Sequence, residues 1–133
     1  MKIEDVEGIG PTFAEKLIAA GVATTEALLD RGASDAGRSR LASEAGISEQ
    51  LLLKWVNHAD LMRIDGVGSE YADLLEAAGV DSPAELAQRN AANLAVTFGE
   101  LDAGRNTVRR IPSEAAVTGW IAEAKTMERR VEH

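Results

Sequence analysis

The chain has 133 residues, 22 acidic against 14 basic side chains and a net charge of -8, with 45% hydrophobic and 27% charged residues. That length suits one domain or two very small ones, and such a composition buries enough apolar surface to offset chain entropy, which argues against disorder. The absence of cysteine excludes disulfides, a thiolate nucleophile and a cysteine zinc site, two histidines are too few for a histidine-built metal centre, and no apolar run approaches the roughly 18 residues of a membrane helix.

The start, Met1-Lys2-Ile3-Glu4-Asp5, is charged and lacks the apolar core of a signal peptide. A soluble, cytoplasmic protein without metal, cofactor or membrane contact is therefore expected. Its acidity also weighs against nucleic acid as a partner, because phosphate neutralisation drives that binding. The charge is uneven. Residues 1–63 hold 7 basic and 10 acidic side chains, a net of -3, and residues 64–133 hold 7 and 12, a net of -5.

Read in order, the chain repeats itself. Val6-Glu7-Gly8-Ile9-Gly10 recurs as Ile64-Asp65-Gly66-Val67-Gly68, an offset of 58 residues. Phe13-Ala14 then matches Tyr71-Ala72, Leu17 matches Leu75, and Ala19-Ala20-Gly21-Val22 recurs as Ala77-Ala78-Gly79-Val80. Leu28 and Arg31 match Leu86 and Arg89. Further on, Ser48-Glu49 and Trp55-Val56 align with Ser113-Glu114 and Trp120-Ile121, an offset of 65, so about seven extra residues fall near 97–106, where a loop can absorb them. The expected organisation is a first repeat over 1–63 and a second over 64–133, sharing one core because each alone is of marginal size.

The elements read as short helices. Gly10 precedes a helix with Pro11 at its first position, and Gly21 stops it in the left-handed conformation while Val22 folds back on its last turn. Ser82-Pro83-Ala84-Glu85 is a capping box, and Ser48 and Ser113 are N-caps of the helices that carry the tryptophans. Leu51, Leu52, Trp55, Val56 and Ala59 form one apolar stripe, as do Ala116, Val117, Trp120, Ile121 and Ala124. Alternating strand patterns are absent, so the fold class is all-α, with about eight to ten short helices at ordinary lengths.

The two Gly-apolar-Gly turns are the candidate sites. Glycine allows positive φ and close approach, and the N–H groups at the following helix start form a phosphate cradle. The middle residue, Ile9 or Val67, anchors the turn in the core. On these residues the sequence resembles the helix-hairpin-helix family, in tandem. The wider frame includes Gly46-Ile47-Ser48-Glu49-Gln50-Leu51, Ala59-Asp60-Leu61-Met62-Arg63 and Pro112-Ser113-Glu114. It is similar to the bacterial group known as domain of unknown function 4332, over nearly the whole chain.

That resemblance implies two tandem helix-hairpin-helix-like repeats packed as one compact SAM-like helical domain, with contact to DNA or RNA backbone. Carried over, the contact falls on Gly8, Ile9, Gly10, Thr12 and Lys16. Gly46 and Ser48, with Lys54 on the next helix, form a degenerate second turn. In the second copy Gly66, Val67, Gly68 and Ser69 keep the turn, but Asp65, Glu70 and Asp73 surround it and Leu74 replaces the lysine. Carboxylates there compete for the same N–H groups and repel phosphate, so this turn is expected to be structural.

Other features are set aside. Arg38, Arg40, Arg105, Arg109, Arg110, Arg129 and Arg130 could track phosphates, but scattered arginines are more commonly solvated surface charges. Trp55 and Trp120 lie on apolar stripes and pack rather than stack on bases. His58 has no partner that sequence can name, Gly8-Ile9-Gly10 lacks a preceding strand and a third glycine, and there is no phosphate loop or calcium loop. The expected function is thus a non-enzymatic module with weak, sequence-independent binding of nucleic-acid backbone. The alternative is a protein–protein adaptor or scaffold on the same helices.

Overall fold

The computed structural model describes residues 1–105 and 110–133, and of residues 103–105 the backbone alone. A 3₁₀ turn, Ile3–Asp5, precedes the helices α1 (Pro11–Ala19), α2 (Thr25–Gly32), α3 (Asp35–Ala45), α4 (Glu49–Leu61), α5 (Ser69–Ala77), α6 (Pro83–Leu86), α7 (Ala91–Arg105) and α8 (Glu114–Ala124). Among the described residues there is no strand, and a lone antiparallel bridge joins Lys2 and Thr24. The protein is all-α.

Most of these helices start where a side-chain oxygen accepts one of the orphan N–H groups. Thr24, Ser34, Ser48, Ser82, Asn90 and Ser113 do so for α2, α3, α4, α6, α7 and α8. The helices α1 and α5 differ: they start on Gly10 and Gly68, which bring no side chain. Their C-terminal ends close as the sequence predicts. Val22 N–H donates to the Leu17 carbonyl at 2.8 Å and Gly21 N–H to Ile18 at 3.0 Å, with Gly21 at φ 90°. Val80 and Gly79 repeat this on Leu75 and Glu76, both at 2.9 Å.

The chain falls into two compact units, residues 1–60 with 130–133, and residues 61–129. In the first, Ile3, Leu17, Val22, Leu28, Leu41, Leu52 and Val56 are fully buried, and the middle hairpin residue Ile9 is buried with them. Each such side chain contributes about 1.5–3 kcal/mol of transfer free energy. Gly32 in the last turn of α2 lies so close to Val56 of α4 that an added Cβ would overlap the valine Cγ2. In the second unit, Val67, Leu74, Leu75, Leu86, Phe98, Val117 and Trp120 share one apolar cluster.

Arginine secures the same corner in each unit. Arg31 Nη1 donates to the Ala20 carbonyl at 3.1 Å and Nη2 pairs with Glu44 at 2.6 Å. Arg89 donates to the Ala78 and Gly79 carbonyls at 3.5 and 3.2 Å, and its Nε pairs with Glu85 at 3.1 Å. Both guanidinium groups thus sit at the carbonyl end of a helix, where positive charge is favoured. Glu85, expected to complete a capping box, turns to Arg89.

Residues 97–105 are helical where a loop was expected over 97–106. The helix α7 runs through Arg105, because Leu94, Phe98 and Leu101 fall at helical spacing on the core cluster. Asn106 and Arg109 lie outside the described residues, as does the side chain of Arg105.

Each tryptophan presents its indole to a hairpin glycine. Trp55 is buried, with Phe13 edge-on at 5.2 Å between ring centroids, and Trp120 is buried with Tyr71 at 5.3 Å. A Cβ on Gly66 would stand 3.1 Å from Trp120 Nε1, whereas on Gly8 it would stand 4.0 Å from Trp55 Nε1. Both glycines have φ 88°. Gly8→Ala is expected to destabilise by about 1–2 kcal/mol from backbone strain alone. Gly66→Ala adds a tight contact with the indole and is expected to have the larger effect, which urea unfolding of the two variants compares directly.

Candidate nucleic-acid interface

The first hairpin is built by a reversal at Gly8, a bond from Ile9 N–H to the Val6 carbonyl at 3.0 Å, and the start of α1 at Gly10. Gly8, Gly10 and Thr12 are exposed, and Ile9 anchors the turn from below. Pro11 holds the first helical position and no carboxylate occupies the first turn of α1. The helix thus starts with a partial positive charge that no side-chain acid of that turn offsets.

The structure brings the second predicted turn to this helix. The α3 helix ends at Gly46 in the left-handed conformation, φ 69° and ψ 41°, followed by buried Ile47 and by Ser48, whose Oγ accepts the Leu51 N–H at 3.2 Å. Lys16 Nζ donates to the Gly46 carbonyl at 3.4 Å and lies 5.6 Å from the Phe13 ring centroid. Lys16 therefore stands between the two turns, at the carbonyl end of α3, on an exposed bond that water can replace. Lys54 is exposed on α4, about 9 Å along the axis from Ser48.

The second hairpin shares the backbone and lacks the chemistry. Gly66 and Gly68 repeat the geometry, and Val67 is buried. Ser69 is buried as well, Glu70 stands where Thr12 stands in the first copy, and Leu74 is fully buried where Lys16 is exposed. A further carboxylate completes the difference: Glu123 of α8 accepts the Asp65 N–H at 3.1 and 3.3 Å. An anion of the chain itself thus occupies an N–H donor of this hairpin.

Glu123 was not among the residues singled out from sequence, yet the repeat contains the signal. The offset of 65 that carries Trp55 onto Trp120 carries His58 onto Glu123. His58 is fully buried, so the two copies differ at this position in both charge and exposure.

Of the arginines read as a phosphate strip, Arg38 and Arg130 are engaged internally. Arg38 is buried, with Nη1 on the Gly32 and Ala33 carbonyls at 2.8 and 3.2 Å and Nη2 on the Glu132 carbonyl at 2.6 Å. Arg130 pairs with Asp30, and Arg63 donates to the Glu128 carbonyl at 3.2 Å. Arg40 is exposed, and the Arg110 carbonyl accepts the Tyr71 hydroxyl at 2.8 Å. The tryptophans are core residues and present no stacking platform. A shallow cavity of about 390 Å³ lies in the second unit, lined by Arg89, Asn90, Thr118, Ile121 and Lys125, and none of the predicted site residues reaches it.

Fold and hairpins together define a small helical protein with paired glycine turns. The model of the family described as domain of unknown function (DUF4332) matches residues 7–127, and the chain belongs to that family. No curated protein and no solved structure matches it. No helix among the described residues is long and apolar enough to cross a membrane.

The Glu123 bond is separable from the fold of α8. Glu123→Ala leaves Asp65 N–H to water and is expected to destabilise by about 1 kcal/mol, the ordinary net worth of such a bond. Thermal unfolding of the variant checks this.

Proposed function

We propose that the first hairpin makes a weak, sequence-independent contact with nucleic-acid backbone, in the manner of a helix-hairpin-helix module without catalytic activity. The observation that carries the reading is the start of α1. Every other α-helix among the described residues starts on a side-chain cap, except α5, whose hairpin meets Glu123 and whose first turn holds Glu70. The start of α1 has neither cap nor acid, and exposed Thr12 and Lys16 stand beside it. A phosphate oxygen there accepts backbone N–H groups at the positive end of the helix, with Lys16 as its counter-charge. Gly46, Ser48 and Lys54 extend the contact along the strand, and the second hairpin supports the fold.

A second reading, a protein-interaction adaptor, draws on the net charge of -8 and on Ile18. That residue lies on α1 itself and is 47% exposed. An apolar side chain there fits a protein surface better than a phosphate strip.

Titrating labelled duplex and single-stranded DNA at low salt tests the first reading. Binding is expected at tens of micromolar protein and is expected to fade steeply as salt rises. Lys16→Glu is expected to weaken it on every sequence and to reduce the salt slope by about one. No binding at tens of micromolar removes nucleic acid as the partner and leaves the adaptor, and an unchanged titration with Lys16→Glu removes the first hairpin as the contact.

A further inference from the structure

The last four residues form part of the first unit, and they do so through contacts to side chain and backbone alike. Arg130 pairs with Asp30 of α2. Val131 is 1% exposed. Glu132 N–H donates to the Ala33 carbonyl at 2.7 Å, and its own carbonyl accepts from Arg38 Nη2 at 2.6 Å. Its carboxylate accepts the Asp35 N–H at 3.4 Å, at the start of α3. His133 Nε2 lies 2.8 Å from Oδ1 of buried Asn57.

These contacts alternate as an extended chain requires, with successive side chains on opposite sides. Arg130 and Glu132 reach the exposed acid and helix start, while Val131 and His133 turn toward buried groups. The main chain is held on both its donor and its acceptor, a mode that extended peptides share when they dock. The corner between α2 and α3 is suited to this. The carbonyl end of one helix and the N–H end of the next lie side by side, with the buried guanidinium of Arg38 between them.

We propose that this corner is a peptide-docking groove. It reads an extended segment with a basic, an aliphatic and an acidic residue in succession, and the chain's own Arg130-Val131-Glu132 guards it. The partner is another protein that presents such a segment. A second copy of this chain does not serve, because exchanging identical tails gains no contact and loses association entropy. Asp30 selects the cation, the socket under Val131 selects the aliphatic side chain, and Asp35 N–H selects the acid. The inference rests on neither reading of the hairpins.

The test uses the full chain with Val131→Asp, which withdraws the guard, and a labelled synthetic peptide of residues 126–133. The peptide is expected to bind this variant saturably and to shift amide resonances at Asp30, Ala33, Asp35 and Asn57. Wild type is expected to bind it roughly tenfold or more weakly, because its own tail competes at an effective concentration on the order of millimolar. A peptide with the Val131→Asp change is expected not to bind. If Val131→Asp unfolds the chain by circular dichroism, the double variant Arg130→Asp/Glu132→Lys, which loosens the tail without burying charge, takes its place. A folded variant that does not bind at millimolar peptide overturns the proposal, and so does equal binding of both peptides.

Discussion

The approach of an indole to a glycine organises both units. At Gly66 an added Cβ would stand 3.1 Å from the Trp120 indole, tighter than ordinary contact, whereas at Gly8 it would meet the Trp55 indole at an ordinary 4.0 Å. Both glycines reverse the chain at φ 88°, so at Gly66 two requirements fall on one residue and at Gly8 the backbone alone asks for glycine. With the tryptophan on one side and the buried Ile9 or Val67 between the glycines, the turn has little freedom. The start of the following helix is then placed by packing and needs no side-chain cap. That is why α1 and α5 can start on glycine while six other helices use a side-chain oxygen.

From this shared frame the two copies diverge in charge and keep their shape. Thr12 faces Glu70 in the alignment, Lys16 faces Leu74, and His58 faces Glu123. Each change moves the second hairpin away from anions. Leu74 adds buried apolar surface, and Glu123 spends a carboxylate on the hairpin backbone. The first hairpin keeps an exposed hydroxyl and an exposed ammonium at a helix start without acid. The division matches the less negative charge of the first half, and a negative whole-molecule field still opposes any polyanion there.

Much of this was legible in the residues. Glycine after Ala19-Ala20, proline after Gly10, and serine before each tryptophan helix are local signals with local causes, and the structure has the matching caps. The apolar stripes followed from spacing. Legibility failed where a side chain had two uses or a distant partner. Glu85 was assigned to a capping box, but an arginine four residues on takes its carboxylate. The extra residues of the second copy were read as loop, but Phe98 and Leu101 give the helix reason to continue. Arg38 looked like a surface cation because its acceptors include Glu132, 94 positions away. Glu123 passed unnoticed because the tryptophan beside it drew the comparison, not the residue one turn further.

The distant partners of Arg38 and Asp30 also bear on how the protein is made. The first unit is interrupted in sequence by the whole of the second, and its last strand of contacts closes over 94 to 100 residues. During synthesis the chain emerges from its N-terminal end, so residues 1–60 collapse well before Val131 exists to fill its socket. Until then Arg38 lacks one of its acceptors, and the apolar seat of Val131 stays wet. Loop-closure entropy grows only slowly with length, so the final seating is not forbidden by its span. It is late instead. The nascent first unit passes through an interval in which its α2–α3 corner is open to the ribosome's surroundings, and completion waits for residues 130–133.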